Sequence, residues 1–149
     1  MLFISAIAFS CKKYPENKGI IFQKKEKRLH GYWDISTMTV DNADSTDQVK
    51  AKSGYCEYPF NIYESEGGDK ISYDCSFSHM RANISFSSDK KNLIIEPIAD
   101  PANDDLPPLM IDTSATFSWN IQKLTKTELW LKNDQILGKR YYLKLKKKK

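Results

Sequence analysis

Residues 31–40 read GYWDISTMTV, and this stretch introduces a pattern that recurs along the rest of the chain. Trp33 and Ile35 fall on one face of an extended strand, and Thr37 and Thr39 continue that face. Apolar side chains two residues apart, rather than at the 3.6-residue spacing of a helix, predict a β-strand with one buried side. β-Branched and aromatic residues, which strands favour, make up most of the stretch.

The same period of two recurs in seven further segments, most clearly in MRANISF at 80–86. The other six lie at residues 55–63, 71–77, 93–95, 117–121, 129–131 and 141–145. Turn-forming residues separate most of them, and two connections, 41–54 and 98–115, are long. No segment shows convincing helical periodicity; a short turn or helix at 24–29 is the one exception that the sequence allows.

A chain of 149 residues is the length of one domain. Eight consecutive strands predict an all-β, up-and-down antiparallel barrel, because closure removes the exposed edges of an open sheet. A two-sheet β-sandwich is the alternative that the strand count leaves open. Apolar residues at 40% argue against disorder, and a net charge of only +4 argues against a dedicated nucleic-acid binder.

Gly31-Tyr32-Trp33 resembles the G-x-W signature of the lipocalin (calycin) family. The segment WNIQKLT at 119–125, followed by ELWL at 128–131, is similar to the closing hairpin of Bacteroidota lipocalin-like domains. The resemblance covers about residues 29–146 and implies the eight-stranded barrel. In the family, the tryptophan closes one end beneath a basic residue from the last strand. The resemblance therefore implies a barrel-closing set of Gly31, Trp33 and Arg140, with Lys139 as a substitute for Arg140.

The N-terminal residues predict export. Residues 1–10 are uncharged and mostly apolar, too short to span a bilayer and typical of the apolar region of a signal peptide. Ala8-Phe9-Ser10-Cys11 resembles a bacterial lipobox, which implies lipid attachment at Cys11. A buried N-terminal strand with an incidental cysteine is the alternative. Residues 11–28 then form a lipidated tether, and 147–149 a solvated basic tail.

The arrangement resembles that of small Bacteroidota lipoproteins, which makes a membrane the first expected partner. In gammaproteobacteria an aspartate after the lipidated cysteine retains lipoproteins at the inner membrane. Lys12 stands at that position, so the resemblance implies the outer membrane. Bacteroidota surface-export signals tend to be acidic there, and Lys12 and Lys13 are basic, which favours a periplasm-facing location.

Two cysteines lie on predicted neighbouring strands. A pairing in which residue numbers sum to 131 sets Cys56 opposite Cys75. The Cα atoms of directly opposed, non-hydrogen-bonded residues lie about 4.5 Å apart, which a disulfide can bridge. An exported protein also sits in an oxidising compartment, where a disulfide persists. A register in which the paired residue numbers sum to 133 keeps the same side chains on each face of the hairpin but no longer sets the two cysteines opposite each other. Two reduced, buried thiols are the alternative.

Enzyme chemistry has no support in the sequence. His30 and His79 are not spaced as metal ligands, and no G-x-S-x-G, P-loop or H-E-x-x-H motif occurs. An acidic loop could hold calcium but lacks the EF-hand pattern and is better interpreted as solvated; its carboxylates are Asp100, Asp104, Asp105 and Asp112. We therefore predict no catalytic residue, no metal and no cofactor.

The inward faces of the predicted strands are bulky. The aromatic residues expected there are Trp33, Tyr58, Phe60, Tyr73, Phe77, Phe86, Phe117, Trp119 and Tyr141. We expect five of them to contact a ligand, namely Tyr58, Phe60, Tyr73, Phe86 and Trp119. Two functions stay open, because a barrel of this size either holds one small ligand or is filled by its own side chains. One is the binding of a small hydrophobic ligand; the other is a filled barrel acting as an interaction or accessory subunit of an envelope complex.

Charge is unevenly spread along the chain. Both ends are basic: residues 113–149 carry ten basic and two acidic side chains, and residues 11–35 carry seven basic and three acidic side chains. The middle of the chain, residues 36–112, is acidic, with six basic and fourteen acidic side chains. In a closed barrel the last strand lies beside the first, so both basic ends share one side. This predicts attraction to anionic membrane headgroups.

Overall fold

The computed structural model describes residues 24–52, 60–66, 68–75, 78–98, 116–136 and 138–149. Within these ranges lie two short helices, α1 (Lys25–Leu29) and α2 (Thr46–Lys52). The nine strands of the same ranges are β1 (Gly31–Val40), β2 (Ala43–Asp44), β3 (Phe60–Ser65), β4 (Gly68–Cys75), β5 (Ser78–Phe86), β6 (Asn92–Ile98), β7 (Phe117–Leu124), β8 (Glu128–Ile136) and β9 (Lys139–Lys147).

The strands form a closed barrel. From β3 onwards each strand pairs antiparallel with the next, and β1 pairs with both β3 and β9. The two-residue β2 pairs only with the end of β1, which leaves eight strands in the barrel wall. The prediction of an eight-stranded up-and-down barrel is confirmed, and the sandwich is rejected.

The core lies inside the barrel, because alternate residues of each strand point inward. The predicted inward faces are confirmed for Trp33, Phe60, Phe117, Trp119 and Tyr141, all of which are buried. The largest side chains with less than 2% exposure are Trp33, Trp119, Phe60, Leu29, Ile35, Ile62, Ile71, Leu93 and Ile95.

The barrel has two distinct ends. We call the end where β1 begins the lower end and the end where β1 finishes the upper end. The lower end carries α1 and the connections β3–β4, β5–β6 and β7–β8. The upper end carries β2, α2 and the connections β4–β5, β6–β7 and β8–β9.

β1 departs from the predicted alternation at one point. Its pairing with β9 shifts between Ile35 and Thr37, which marks a β-bulge. One extra residue reverses the faces beyond it, so Met38 is buried while Thr37 and Thr39 are only half-buried. The prediction that the threonines continue the Trp33 face was therefore wrong.

The helices were predicted only in part. α1 falls where the sequence allowed a short helix. α2 lies in a connection that was expected to lack one. Its start is fixed by Asp44, whose carboxylate accepts hydrogen bonds from the Thr46 N–H at 2.9 Å and the Thr46 hydroxyl at 2.6 Å. The helix contributes mainly Val49 to the core, too little apolar surface for a helical period to show in the sequence.

The register of the β3–β4 hairpin also differs from the prediction. Ile62 pairs with Ile71, and the strands stay paired as far as Ser65 and Gly68, so the residue numbers sum to 133 rather than 131. The turn is tighter than expected, and Gly68 supports it with a φ of 118°. Cys56 lies outside the described residues. The disulfide with Cys75 stays a prediction, but the register that favoured it was wrong.

Candidate functional site

The lower end of the barrel is closed by Trp33 and α1. The Trp33 ring is fully buried, and its Nε1 donates a hydrogen bond to the Leu29 carbonyl at 2.7 Å. Arg28, also buried, donates from Nη1 to the carbonyl of Leu124 at the end of β7. The indole and guanidinium groups thus tie α1 across the opening of the barrel.

Lys147 covers the Trp33 ring. The β1–β9 register sets Lys147 opposite Trp33, and its Nζ lies 4.7 Å from the ring centre. The same ammonium group donates hydrogen bonds to the carbonyl oxygens of Arg28, at 2.6 Å, and His30. Burial lowers the pKa of Lys147. The ammonium group above the ring therefore also donates hydrogen bonds to backbone carbonyls at the end of α1.

Gly31 permits this close approach. Its φ of 128° favours glycine, and a Cβ placed there would lie 3.4 Å from the Lys147 side chain. The sequence assigned Lys147 to a solvated tail, whereas it is the last residue of β9.

The predicted cover, Arg140 or Lys139, was wrong. Arg140 is exposed at the upper end, where its backbone N–H donates to the Asp41 carboxylate at 3.0 Å. β9 runs antiparallel to β1, so the residue above Trp33 must come from the end of β9, not from its beginning. Counting in twos from Tyr141 along the inward face reaches Lys147, a signal that could have identified it.

Further polar contacts surround the lower end. His30 Nε2 lies 2.8 Å from the Asp69 carboxylate on β4, and Lys90 Nζ lies 3.4 Å from the Glu26 carboxylate. A backbone hydrogen bond lowers the pKa of Glu26, and Lys90 adds to this effect. These contacts connect α1 and the residue after it to β4 and to the β5–β6 turn.

The described interior is filled at its lower and middle levels. Phe60 and Trp119, two of the predicted ligand-binding residues, have no exposed surface. A chamber large enough for a ligand would leave its lining in contact with water, so these two side chains line no such chamber. Phe86 is half-buried at the lower end of β5. Tyr58 and the side chain of Tyr73 lie outside the described residues.

The upper end is covered less completely. Its inward side chains are buried but retain small exposed fractions, from 4% to 8%: Met38, Phe117, Ile136 and Tyr141. Val40 of β1 and Val49 of α2 pack beside them and are half-buried. The Tyr141 ring meets the floor of this region edge to face, with its centre 6.4 Å from that of Trp119.

The comparisons with known proteins agree with this architecture. No family model matches the chain, and no curated protein matches it. The solved structures include one similar fold, a lipocalin-like protein from Bacteroides uniformis, with a TM-score of 0.51 and 11% sequence identity. The match covers 81% of this chain and 99% of the other. The chain has a lipocalin-like fold.

Within this lipocalin-like barrel, the Tyr141 hydroxyl is distinctive. The side chain is only 8% exposed, yet in the described part of the chain no group forms a hydrogen bond with the hydroxyl. Burial raises the pKa of Tyr141, and the nearby Asp41 carboxylate raises it further. The hydroxyl is therefore protonated at neutral pH and can donate or accept a hydrogen bond from a bound molecule.

Asn133 supports the rim of the lipocalin-like barrel beside Tyr141. It is buried on β8, where its Nδ2 donates to the Ser118 carbonyl at 2.8 Å and its Oδ1 accepts from the Ile136 N–H at 3.2 Å. The pairing of β8 with β9 shifts between Asn133 and Ile136, and the amide satisfies backbone groups at this irregularity. Asn133 continues the inward spacing of Leu129 and Leu131 along β8.

The described residues contain no group of three or more histidine, cysteine or acidic side chains that could hold a metal ion. The acidic loop with Asp100, Asp104, Asp105 and Asp112 lies outside them, as does the side chain of His79. None of the described helices is both long enough and apolar enough to cross a membrane.

Proposed function

We propose that this chain is a non-catalytic binding protein that takes a small, largely apolar ligand at the upper end of its barrel. The observation that supports the proposal is the Tyr141 side chain, which is 8% exposed and whose hydroxyl forms no hydrogen bond with any described residue. Apolar parts of a ligand would contact Met38, Phe117 and Ile136 around it. One polar group of the ligand would then bond to the hydroxyl. Such sites typically combine an apolar lining with a few placed polar groups.

The ligand sits near the rim rather than deep in the barrel. Trp119, whose ring meets the Tyr141 ring edge to face, forms its floor, and Phe60, paired with Trp33, lies at the lower end; neither has exposed surface that a ligand could cover. This narrows the predicted ligand-binding set, in which both residues were expected to contact the ligand.

Titration with the fluorescent apolar probe 8-anilinonaphthalene-1-sulfonate tests the site. We expect saturable binding to the folded protein, and displacement by long-chain alcohols at lower concentrations than by alkanes of equal length. Tyr141→Phe should weaken probe binding about 2- to 10-fold, the effect of one hydrogen bond, without lowering the melting temperature. Tyr32→Phe is the matched control, since Tyr32 is 53% exposed outside the barrel near the lower end. Binding that Tyr141→Phe leaves unchanged would contradict the proposal.

A filled barrel that serves as an interaction or accessory subunit of an envelope complex is the second candidate. It is favoured by the large interior side chains with less than 2% exposure, Trp33, Trp119 and Phe60 among them. The two functions separate in the same titration. A folded protein that binds no apolar probe saturably, but crosslinks in the envelope to a defined protein, would favour the accessory role.

We further propose that Cys11 carries a lipid that anchors the protein to the periplasmic face of the outer membrane. The apolar residues 1–10 and the polar segment after Cys11 support the proposal, and both lie outside the described residues. Cys11→Ser should release the protein into the soluble periplasmic fraction and abolish labelling by a palmitate analogue. Equal labelling of wild type and variant would rule out the anchor. Cleavage by protease added to intact cells would place the protein on the cell surface instead.

A further inference from the structure

The outer surface of the last three strands differs in charge from the rest of the barrel. β7, β8 and β9 together carry seven basic and two acidic residues, whereas β3 to β6 carry two basic and four acidic residues. We call the outward side chains of the last three strands the basic wall. Its charged and aromatic members are Lys123, Glu128, Trp130, Lys132, Asp134, Arg140, Tyr142, Lys144 and Lys146.

Two aromatic rings lie at the centre of the basic wall, surrounded by lysine side chains. The Nζ atoms of Lys123 on β7 and Lys144 on β9 lie 4.2 and 4.5 Å from the centre of the Trp130 ring on β8. Lys144 Nζ also lies 5.4 Å from the Tyr142 ring, which meets Trp130 edge to face at 6.5 Å. Three adjacent strands thus contribute to one continuous cluster of rings and ammonium groups.

Part of the positive charge of the basic wall is not neutralised. Lys123 pairs with Glu128, and Lys132 pairs with Asp134 at 2.8 Å. Over the described part of the chain, no acidic side chain forms an ion pair with Lys144 or Lys146. The wall therefore presents a surplus of positive charge to whatever lies against it.

We propose that the basic wall docks on an anionic phospholipid surface. The charges are complementary, since unpaired lysines attract the negative headgroups of a membrane. Trp and Tyr are enriched at membrane interfaces, where one part of the ring is apolar and the other is wet. Lysine stems lie along apolar surface and keep their ammonium groups in water, as Lys144 does beside Trp130 and Tyr142. This inference is independent of the ligand site and of the lipid on Cys11.

The same geometry disfavours single-stranded nucleic acid as the partner. Bases bind such proteins by stacking on open aromatic faces. Here the ammonium groups of Lys123 and Lys144 already lie over the Trp130 ring, so a base would have to displace them. A headgroup layer instead contacts the ammonium groups without stacking on the ring.

Trp130 provides its own reporter for the test. The other two tryptophans, Trp33 and Trp119, have no exposed surface, whereas Trp130 is half-buried on the outside of the barrel. Quenching of tryptophan emission by acrylamide therefore reports mainly on Trp130. The experiment uses the full chain carrying Cys11→Ser, so that no lipid contributes, with vesicles of phosphatidylcholine alone or mixed with phosphatidylglycerol.

We expect the mixed vesicles to shift the emission to the blue and to protect Trp130 from acrylamide, with both effects weakening at high salt. Lys144→Gln with Lys146→Gln should reduce vesicle partitioning about 25-fold, which is fivefold per lysine. Lys70→Gln with Arg81→Gln, on β4 and β5, is the matched control that removes two charges from another face and should leave partitioning unchanged. Unchanged circular dichroism would establish that each variant is folded.

Four outcomes would overturn the proposal. Equal losses in both double variants would indicate a general effect of net charge. Equal binding to pure phosphatidylcholine would exclude charge recognition. Stronger protection of Trp130 by a single-stranded oligonucleotide than by anionic vesicles would make nucleic acid the partner. A dimer that the Lys144/Lys146 variant converts to monomer, with vesicle binding unchanged, would make the wall an interface between copies of this chain.

Discussion

The two ends of the barrel differ in how their polar groups are satisfied. At the lower end, Trp33, Arg28 and Lys147 all donate hydrogen bonds to backbone carbonyls, and the Trp33 and Leu29 side chains have almost no exposed surface. At the upper end, Tyr141 is nearly as well buried but its hydroxyl has no partner among the described residues. A hydrogen bond within the protein stabilises the fold, whereas a hydroxyl at the rim that forms none with the protein is available to a ligand. The proposed function therefore assigns stability and binding to opposite ends of the same barrel.

The largest expected effect is at the lower end. Trp33→Ala should lower the free energy of unfolding by about 3–5 kcal/mol, because it removes a fully buried ring and leaves a cavity beneath α1. Urea denaturation measures the change. Tyr32→Ala, at the exposed neighbouring position, should cost about 0.5 kcal/mol or less. Equal losses from the two variants would mean that Trp33 does not close the barrel.

A smaller effect is expected from the cation above Trp33. Lys147→Met should lower the free energy of unfolding by about 1–3 kcal/mol, because it leaves the carbonyls of Arg28 and His30 without their donor. Lys147→Arg should recover part of this loss, since a guanidinium can stack on the ring and still donate. Arg140→Met at the opposite end of β9 should cost about 0.5 kcal/mol or less. A larger cost at Arg140 than at Lys147 would reverse the assignment of the closing residue.

The smallest expected effect is on how the free energy of unfolding depends on pH in the alkaline range, where the two ends should act in opposite directions. The pKa of Tyr141 is raised in the folded state, so the unfolded chain loses this proton first and stability falls as the pH rises above about 10. The pKa of Lys147 is lowered, so the folded chain loses that proton first and its contribution to stability rises with pH up to the ordinary lysine value.

Urea midpoints measured from pH 8 to 11 would show both trends. Tyr141→Phe should make the alkaline loss of stability shallower, and Lys147→Met should make it steeper. Shifts of the same sign in both variants would contradict the contrast between the two ends.

The barrel could be predicted from the sequence because a period of two recurs in each strand of its wall, despite the register shifts in β1 and β8. Trp33, Phe60 and Trp119 were placed inside correctly on spacing alone. Resemblance then led to the wrong closing cation. Arg140 was chosen for its side chain, but strand direction decides which end of β9 meets Trp33. Antiparallel pairing, applied strictly, would have excluded Arg140.

The remaining differences between prediction and structure arise where the spacing of apolar residues does not determine the local backbone geometry. The bulge at Ile35–Thr37 shifts the register by one residue without any glycine or proline to mark it. The β3–β4 register depends on how tightly the turn before Gly68 closes, and two registers preserve the same buried faces. The role proposed for Tyr141 depends on which groups fail to reach its hydroxyl, and only the folded structure shows this.

Pairing between β1 and β9 has a consequence for how the chain folds. The ladder joins residues more than 100 positions apart, such as Trp33 and Lys147. Contacts of this separation form late, because the entropy of closing a long loop must be overcome first. Until β9 takes its place, β1 and β8 each present an unpaired edge that can pair with another chain. Substitutions that weaken this ladder would therefore increase aggregation during folding more than they reduce the stability of the finished barrel.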